Sequence, residues 1–214
     1  MHIDIVSDVI CPWCFIGKRR LGRALAQRPE VTPSITWRAF QLNPDMPEGG
    51  MPRETYLAAK FGSAAHAARI YATITEAGAG EKIAFAFDRI RRTPNSRRAH
   101  RLIRFATMRG NADPIVERLF SAYFEQGRDI GDPATLADIA AEAGFERAEV
   151  ARWLASDAAT EEVLAEDRSA RRLGISGVPC FIVDGGYAIS GAQEPEFFFP
   201  LFDLAQNAAV QPAL

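Results

Sequence analysis

Two cysteines three positions apart, in the run Cys11-Pro12-Trp13-Cys14, are the residues of this chain best placed to do chemistry. On a helix that spacing puts the second thiol about one turn beyond the first, close enough for a disulfide. Cys11 lies where a strand-like run gives way to a helical one. There, unpaired backbone N–H groups and the positive end of the helix dipole favour a thiolate. Such positions lower cysteine pKa values to roughly 3.5–7.5. Cys14 sits deeper in the helix and is expected to be the less exposed and less acidic thiol. The pair suits thiol–disulfide exchange: Cys11 attacks a disulfide or holds the mixed disulfide, and Cys14 resolves it. Pro12 and Trp13 lie beside the sulfurs, and Trp13 offers an apolar platform for a peptide-like or unfolded partner. A CxxC is also half of a zinc site, but a second cysteine pair or a His pair at ligand spacing is missing. His2, His66 and His100 are scattered. No metal and no nucleotide cofactor is implied.

The elements that must position this pair are readable from periodicity. Residues 2–7 alternate apolar and polar, which predicts a strand. Pro12 suits the first position of a helix running to about Gln27, with Phe15, Ile16, Leu21, Ala24 and Leu25 at helical spacing. A second strand is expected over Ser34–Phe40, giving a βαβ unit with a parallel pair. Turn formers over 43–52 predict a loop. Helices follow over 53–61, 63–78, 95–109, 112–125, 133–143, 146–155 and 158–173. Asp113-Pro114 and Asp132-Pro133 read as caps followed by N1 prolines, and Gly110 and Gly144 as stops. Strands at Cys180–Val183 and Tyr187–Ser190 flank a glycine turn and form a hairpin. A last helix is expected over Glu194–Ala205, bent near Pro200, with a fraying tail. The class is α/β, with 1–44 plus 174–214 sharing one mixed sheet and 45–173 forming an all-helical insertion.

Composition limits the function classes. The chain has 214 residues, 48% hydrophobic and 24% charged, with a formal net charge of −2. That balance gives no general attraction to nucleic acid or an anionic membrane. No apolar stretch approaches the roughly 18 residues of a membrane span. The N-terminal residues lack a basic region and an apolar core of signal-peptide length, so the expected location is the cytoplasm. With only three cysteines, a disulfide here would do chemistry and would not act as a staple.

Several blocks resemble the DsbA-like thioredoxin superfamily, in particular its FrnE-like branch. They are Ser7–Gly17 around the cysteine pair, Pro94–Arg101, Ala122–Phe124 through Gly127–Ile130, Gly174–Pro179, and Ile189–Gln193. Spread from residue 7 to 193, they cover nearly the whole chain. The resemblance implies a thioredoxin fold (βαβ…ββα) and protein disulfide oxidoreductase or isomerase activity. It makes Pro179 a cis-proline beside the active-site thiols, with the Val178 backbone able to pair with a substrate strand. It also places Asn95 and His100 near the substrate groove, although His100 alone reads as surface or domain interface and Asn95 as a helix cap. Many members carry a buried acid on the first strand that helps move the resolving cysteine's proton. Neither Asp4 nor Asp8 stands at a spacing that can be equated with it, so no proton carrier is assigned. Cys180 follows the cis-proline where a non-cysteine is expected. It reads as a small core residue, or as a third thiol near the pair.

The same branch resembles glutathione-dependent 2-hydroxychromene-2-carboxylate isomerases and kappa-class glutathione transferases, in which a serine usually replaces Cys11. Two cysteines favour dithiol chemistry, with the isomerase or transferase as the alternative. A redox-regulated holdase is a third reading. No cofactor is expected to be bound, and glutathione is a candidate cosubstrate. Expected partners are protein or small-molecule thiols and disulfides, with a homodimer as the candidate assembly. The basic run Arg89, Arg91, Arg92, Arg97, Arg98, Arg101, Arg104 and Arg109 reads first as a solvated helix face, then as a site for acidic groups.

Overall fold

A computed structural model describes residues 1–210 of the chain. In chain order the first elements are β1 (His2–Ser7), α1 (Pro12–Gln27), β2 (Ser34–Ala39), β3 (Met51–Pro52), α2 (Arg53–Phe61) and α3 (Ala64–Gly80). Then come β4 (Arg92–Thr93), α4 (Arg97–Thr107), α5 (Asp113–Phe124), α6 (Pro133–Glu142), α7 (Arg147–Ala155) and α8 (Thr160–Arg172). The chain closes with β5 (Cys180–Val183), β6 (Tyr187–Ser190) and α9 (Phe199–Val210). Among the described residues no helix is long and apolar enough to cross a membrane.

The main sheet has the order β2-β1-β5-β6. β1 and β2 are parallel, with Ile5 opposite Trp37, and β5 runs antiparallel to β1, with Ile5 opposite Phe181 and Val6 opposite Cys180. β6 pairs antiparallel with β5. Alternation along the strands divides the side chains between two faces. Ile3, Ile5, Phe181 and Val183 pack with Phe15, Ile16 and Leu21 of α1 and Phe202 of α9. Val6 and Cys180 pack on the other face with Phe40 and with Ala170 of α8. The insertion shares the first of these cores: Phe15 stacks on Phe120 of α5 with ring centroids 5.1 Å apart and meets Phe85 edge-on at 6.2 Å. Such pairs add about 0.5–1.5 kcal/mol beyond the area they bury.

The structure corrects the sequence-based expectations in several places. The segment expected as loop ends in β3, which pairs with β4 in a two-residue antiparallel ribbon. Asp113 is the first helical residue of α5 and not its cap; Asn111 Oδ1 accepts its N–H at 2.8 Å. Asp132 does cap α6, accepting from Thr135 N. Residues 195–198 form a 3₁₀ turn, and α9 starts afresh at Phe199. Pro200 falls in its first turn, where a missing N–H is harmless. The helix continues to Val210, past the expected end at Ala205; any fraying of 211–214 lies outside the described residues. The arginine run is a free face only in part, at Arg89 and Arg91. Arg98 pairs with Glu48, Arg104 with Glu166 at 3.4 Å, and Arg109 with Glu149. Arg101 is buried.

Gly17 shows how closely α1 is set against the proline loop. A Cβ there would stand 2.9 Å from Pro179 Cγ and 3.1 Å from Phe181 Cζ. Glycine inside a helix ordinarily costs about 0.5–1 kcal/mol against alanine, so intrinsic propensity favours Gly17→Ala. Overpacking, at roughly 1–3 kcal/mol, outweighs it. Gly17→Ala is therefore expected to lower stability in urea denaturation, and a gain would contradict this packing.

Candidate functional site

Cys11 is the residue before α1, with extended backbone (φ −96°, ψ 113°), and Pro12 opens the helix. The loop is tied down by Cys11 N donating to Asp8 O at 3.0 Å, and Cys14 N donates to Cys11 O at 3.0 Å. Both thiols are free and buried, Cys11 5% and Cys14 1% exposed. The Cys11 thiol reaches across to the Val178 carbonyl at 3.5 Å. The Val178–Pro179 peptide bond is cis. Pro12, Trp13 and Val178 are half-buried, and Gly177 and Ser176 are exposed. The cysteine loop and the loop before β5 thus meet at one end of the sheet.

The two sulfurs differ in acidity. The Cys14 thiol donates a hydrogen bond that holds Cys11 below the ordinary cysteine value, against burial, with the Cys14 and Trp13 N–H groups helping and the Asp8 carboxylate opposing. Burial pushes Cys14 well above that value, and its bond to Cys11 and the Cys11 charge push the same way. Such an asymmetry is what a nucleophilic thiol beside a protonated resolving thiol would require.

The other predicted residues are spread around this centre. His100 is buried, 3% exposed, with Nε2 3.4 Å from Oδ1 of the fully buried Asp8; the expectation of a surface position is corrected. Asn95 is buried and fastens a loop: its amide donates to Met46 O at 2.7 Å and its oxygen accepts from Arg97 N at 3.0 Å. With Arg97, Arg98 and Arg101 it borders a polar cleft of about 280 Å³. Cys180 packs on the α8 face of the sheet, while Cys11 and Cys14 pack on the α1 face, so it takes the core role and is turned away from the pair. Burial raises its pKa.

Sequence reasoning gave Ser7 no role beside the cysteines and weighed Asp8 only as a proton carrier, leaving it unassigned. Asp8 Oδ2 accepts from Leu42 N at 2.7 Å and Oδ1 from Ile10 N at 3.4 Å. The polar pair Ser7-Asp8, where the end of β1 leads into the cysteine loop, was the available signal.

Known proteins resemble this chain in sequence and fold. The chain is similar along its whole length to the structure of a probable DsbA oxidoreductase from Streptomyces coelicolor, at 31% identity and a TM-score of 0.88, covering 93% of that chain. In fold it is similar to a 2-hydroxychromene-2-carboxylate isomerase (19% identity, TM-score 0.71, 99% of this chain and 100% of that one). It is also similar in fold to the cytosolic disulfide reductase DsbM from Pseudomonas aeruginosa, solved with GSH (17% identity, TM-score 0.61, 98% and 97% covered). Residues 2–200 match the DsbA-like thioredoxin domain, a span that holds the cysteine pair, the cis-proline and the inserted helices alike. The chain belongs to the DsbA-like thioredoxin-domain family.

Proposed function

We propose that this protein is a FrnE-like thiol–disulfide oxidoreductase acting through Cys11 and Cys14. One observation carries the reading: Cys11 heads α1 with its sulfur beside both Cys14 and the Val178 carbonyl. A substrate disulfide brought to that sulfur would lie along the backbone before Pro179, with Trp13 and Pro12 forming the other wall. In exchange, the Cys11 thiolate forms a bond to one substrate sulfur and the other leaves as a thiolate. Cys14 then displaces the bound sulfur, leaving the protein disulfide and a reduced substrate. The reverse sequence oxidises a substrate dithiol. Substrates are protein or small-molecule disulfides, with glutathione as cosubstrate and not as a resident group. The sparse cysteines fit a cytoplasmic setting.

The test is a redox titration in glutathione buffers, trapped by alkylation and read by intact mass, with Cys180→Ser alongside. The expected result is loss of two hydrogens that requires Cys11 and Cys14 and is untouched in Cys180→Ser. The midpoint gives the preferred direction. A persistent single-glutathione adduct with no internal disulfide would replace this reading by the glutathione-dependent isomerase or transferase.

A further inference from the structure

Cys14 must give up a proton before it can attack, yet burial opposes its ionisation. Next to Ser7, the last residue of β1, lies a small space of about 10 Å³, lined also by Trp37 and His100. That is about the volume that one water requires. Ser7 Oγ, Trp37 Nε1 and His100 Nε2 are each buried there without a hydrogen-bond partner. A buried orphan polar atom costs about 1–3 kcal/mol, so three of them around one water-sized space call for a shared partner. A single water there would satisfy them, accepting from the indole N–H, which can only donate, and linking the serine hydroxyl to the imidazole. Ser7 Oγ stops short of a full hydrogen bond to Cys14, yet it stands near enough to ease the ionisation of that thiol.

The far end of the path is also built. His100 Nε2 lies 3.4 Å from Asp8 Oδ1, and backbone N–H groups of Leu42 and Ile10 hold that carboxylate. The other charges around the space are Arg38 on β2, Arg104 on α4 and Glu166 on α8. Both arginines pair with Glu166, at 3.5 and 3.4 Å. Asp8 is therefore the acid that faces the imidazole.

We propose that Ser7, one water and His100 form a proton path for Cys14, with His100 and Asp8 as positioning residues that receive and stabilise the proton. The proposal rests on the dithiol reading above. In the resolving step the Cys14 proton passes to Ser7 Oγ while the Ser7 hydroxyl proton passes through the water to His100 Nε2. The Cys14 electron pair forms the bond to Cys11 sulfur, and the Cys11–substrate bond breaks with its pair on the departing thiolate. His100 becomes imidazolium beside Asp8, and the same path returns the proton when the protein disulfide is reduced.

The test separates the two chemical steps. The reduced protein is mixed with oxidised glutathione, quenched by alkylation, and followed by intact mass from pH 6 to pH 10. For His100→Asn and Ser7→Ala, resolution of the Cys11–glutathione disulfide is expected to slow about 10–100-fold at pH 7. The deficit should close as pH rises and bulk base ionises Cys14. Formation of the adduct should stay within about twofold of wild type, and Ser7→Thr, which keeps the hydroxyl, should recover most of the rate. Resolution at the wild-type rate throughout the pH range overturns the path. So does equal slowing of both steps at every pH, which a packing defect would give. Should His100→Asn fail to fold, the Ser7→Ala and Ser7→Thr pair decides alone. If wild-type protein forms no adduct at Cys11, the dithiol reading itself falls and the proton path with it.

Discussion

Cys11→Ser should reduce disulfide exchange at least about a thousandfold, because a serine hydroxyl is not ionised near neutral pH whereas the thiolate is the attacking species. Cys14→Ser should behave differently. It keeps the nucleophile and removes the resolving thiol, so a mixed disulfide with substrate or glutathione accumulates and is visible by mass. The acidities predict a further contrast in the reduced wild-type protein. Cys11, held below the ordinary cysteine value by the Cys14 hydrogen bond, should react with iodoacetamide along a titration displaced to lower pH. Cys14, raised by burial, should remain unmodified until Cys11 is blocked or the pH is well above neutral. In Cys14→Ser, a serine hydroxyl can still donate to Cys11, so its titration should move less than in Cys14→Ala. Exchange activity surviving in Cys11→Ser, or a first alkylation at Cys14, would contradict the assigned roles.

Arg101→Met should produce the largest loss of stability among single changes in the basic run. Arg101 is 5% exposed, and its guanidinium donates to the carbonyls of Ala158 at 2.8 Å, Trp153 at 3.0 Å, Leu154 at 3.3 Å and Ser156. Two of these lie in the last turn of α7, where a cation also meets the negative end of the helix dipole. Methionine keeps most of the apolar stem but leaves several carbonyls with no partner. The expected cost is about 3–5 kcal/mol in all, since each buried carbonyl left without a partner costs about 1–3 kcal/mol. For a chain of this size that corresponds to a fall in Tm of roughly 6–20 °C by calorimetry. Arg101→Lys should recover only part of it, since one ammonium cannot span four acceptors. Arg89→Ala, on an exposed position of the same run, should stay within about 0.5 kcal/mol of wild type. Equal effects at Arg101 and Arg89 would show that the run is a solvated face after all.

What the sequence by itself determined lies in short segments. Alternation over residues 2–7, Pro12 at a helix start and the glycine turn between two apolar runs are local signals, and β1, α1 and the β5–β6 hairpin formed where they were read. Because a cysteine pair at a strand–helix junction needs only those neighbouring residues to face a helix N-terminus, the placement of Cys11 and Cys14 at the start of α1 was readable too. The tertiary structure decided whatever depends on partners remote in the chain. The Val178 carbonyl meets Cys11 from 167 positions away. Strand alternation puts Cys180 and Phe181 on opposite faces, but only the pairing with β1 and the placing of α1 and α8 decide which face holds Cys11 and Cys14. Arg97, Arg98, Arg101, Arg104 and His100 share α4 and look alike as a polar surface stretch. Asp8 draws His100 inward, and the end of α7 takes up Arg101. Burying a charge or an imidazole is tolerable only where its partner is already in place, and only the assembled fold supplies that partner.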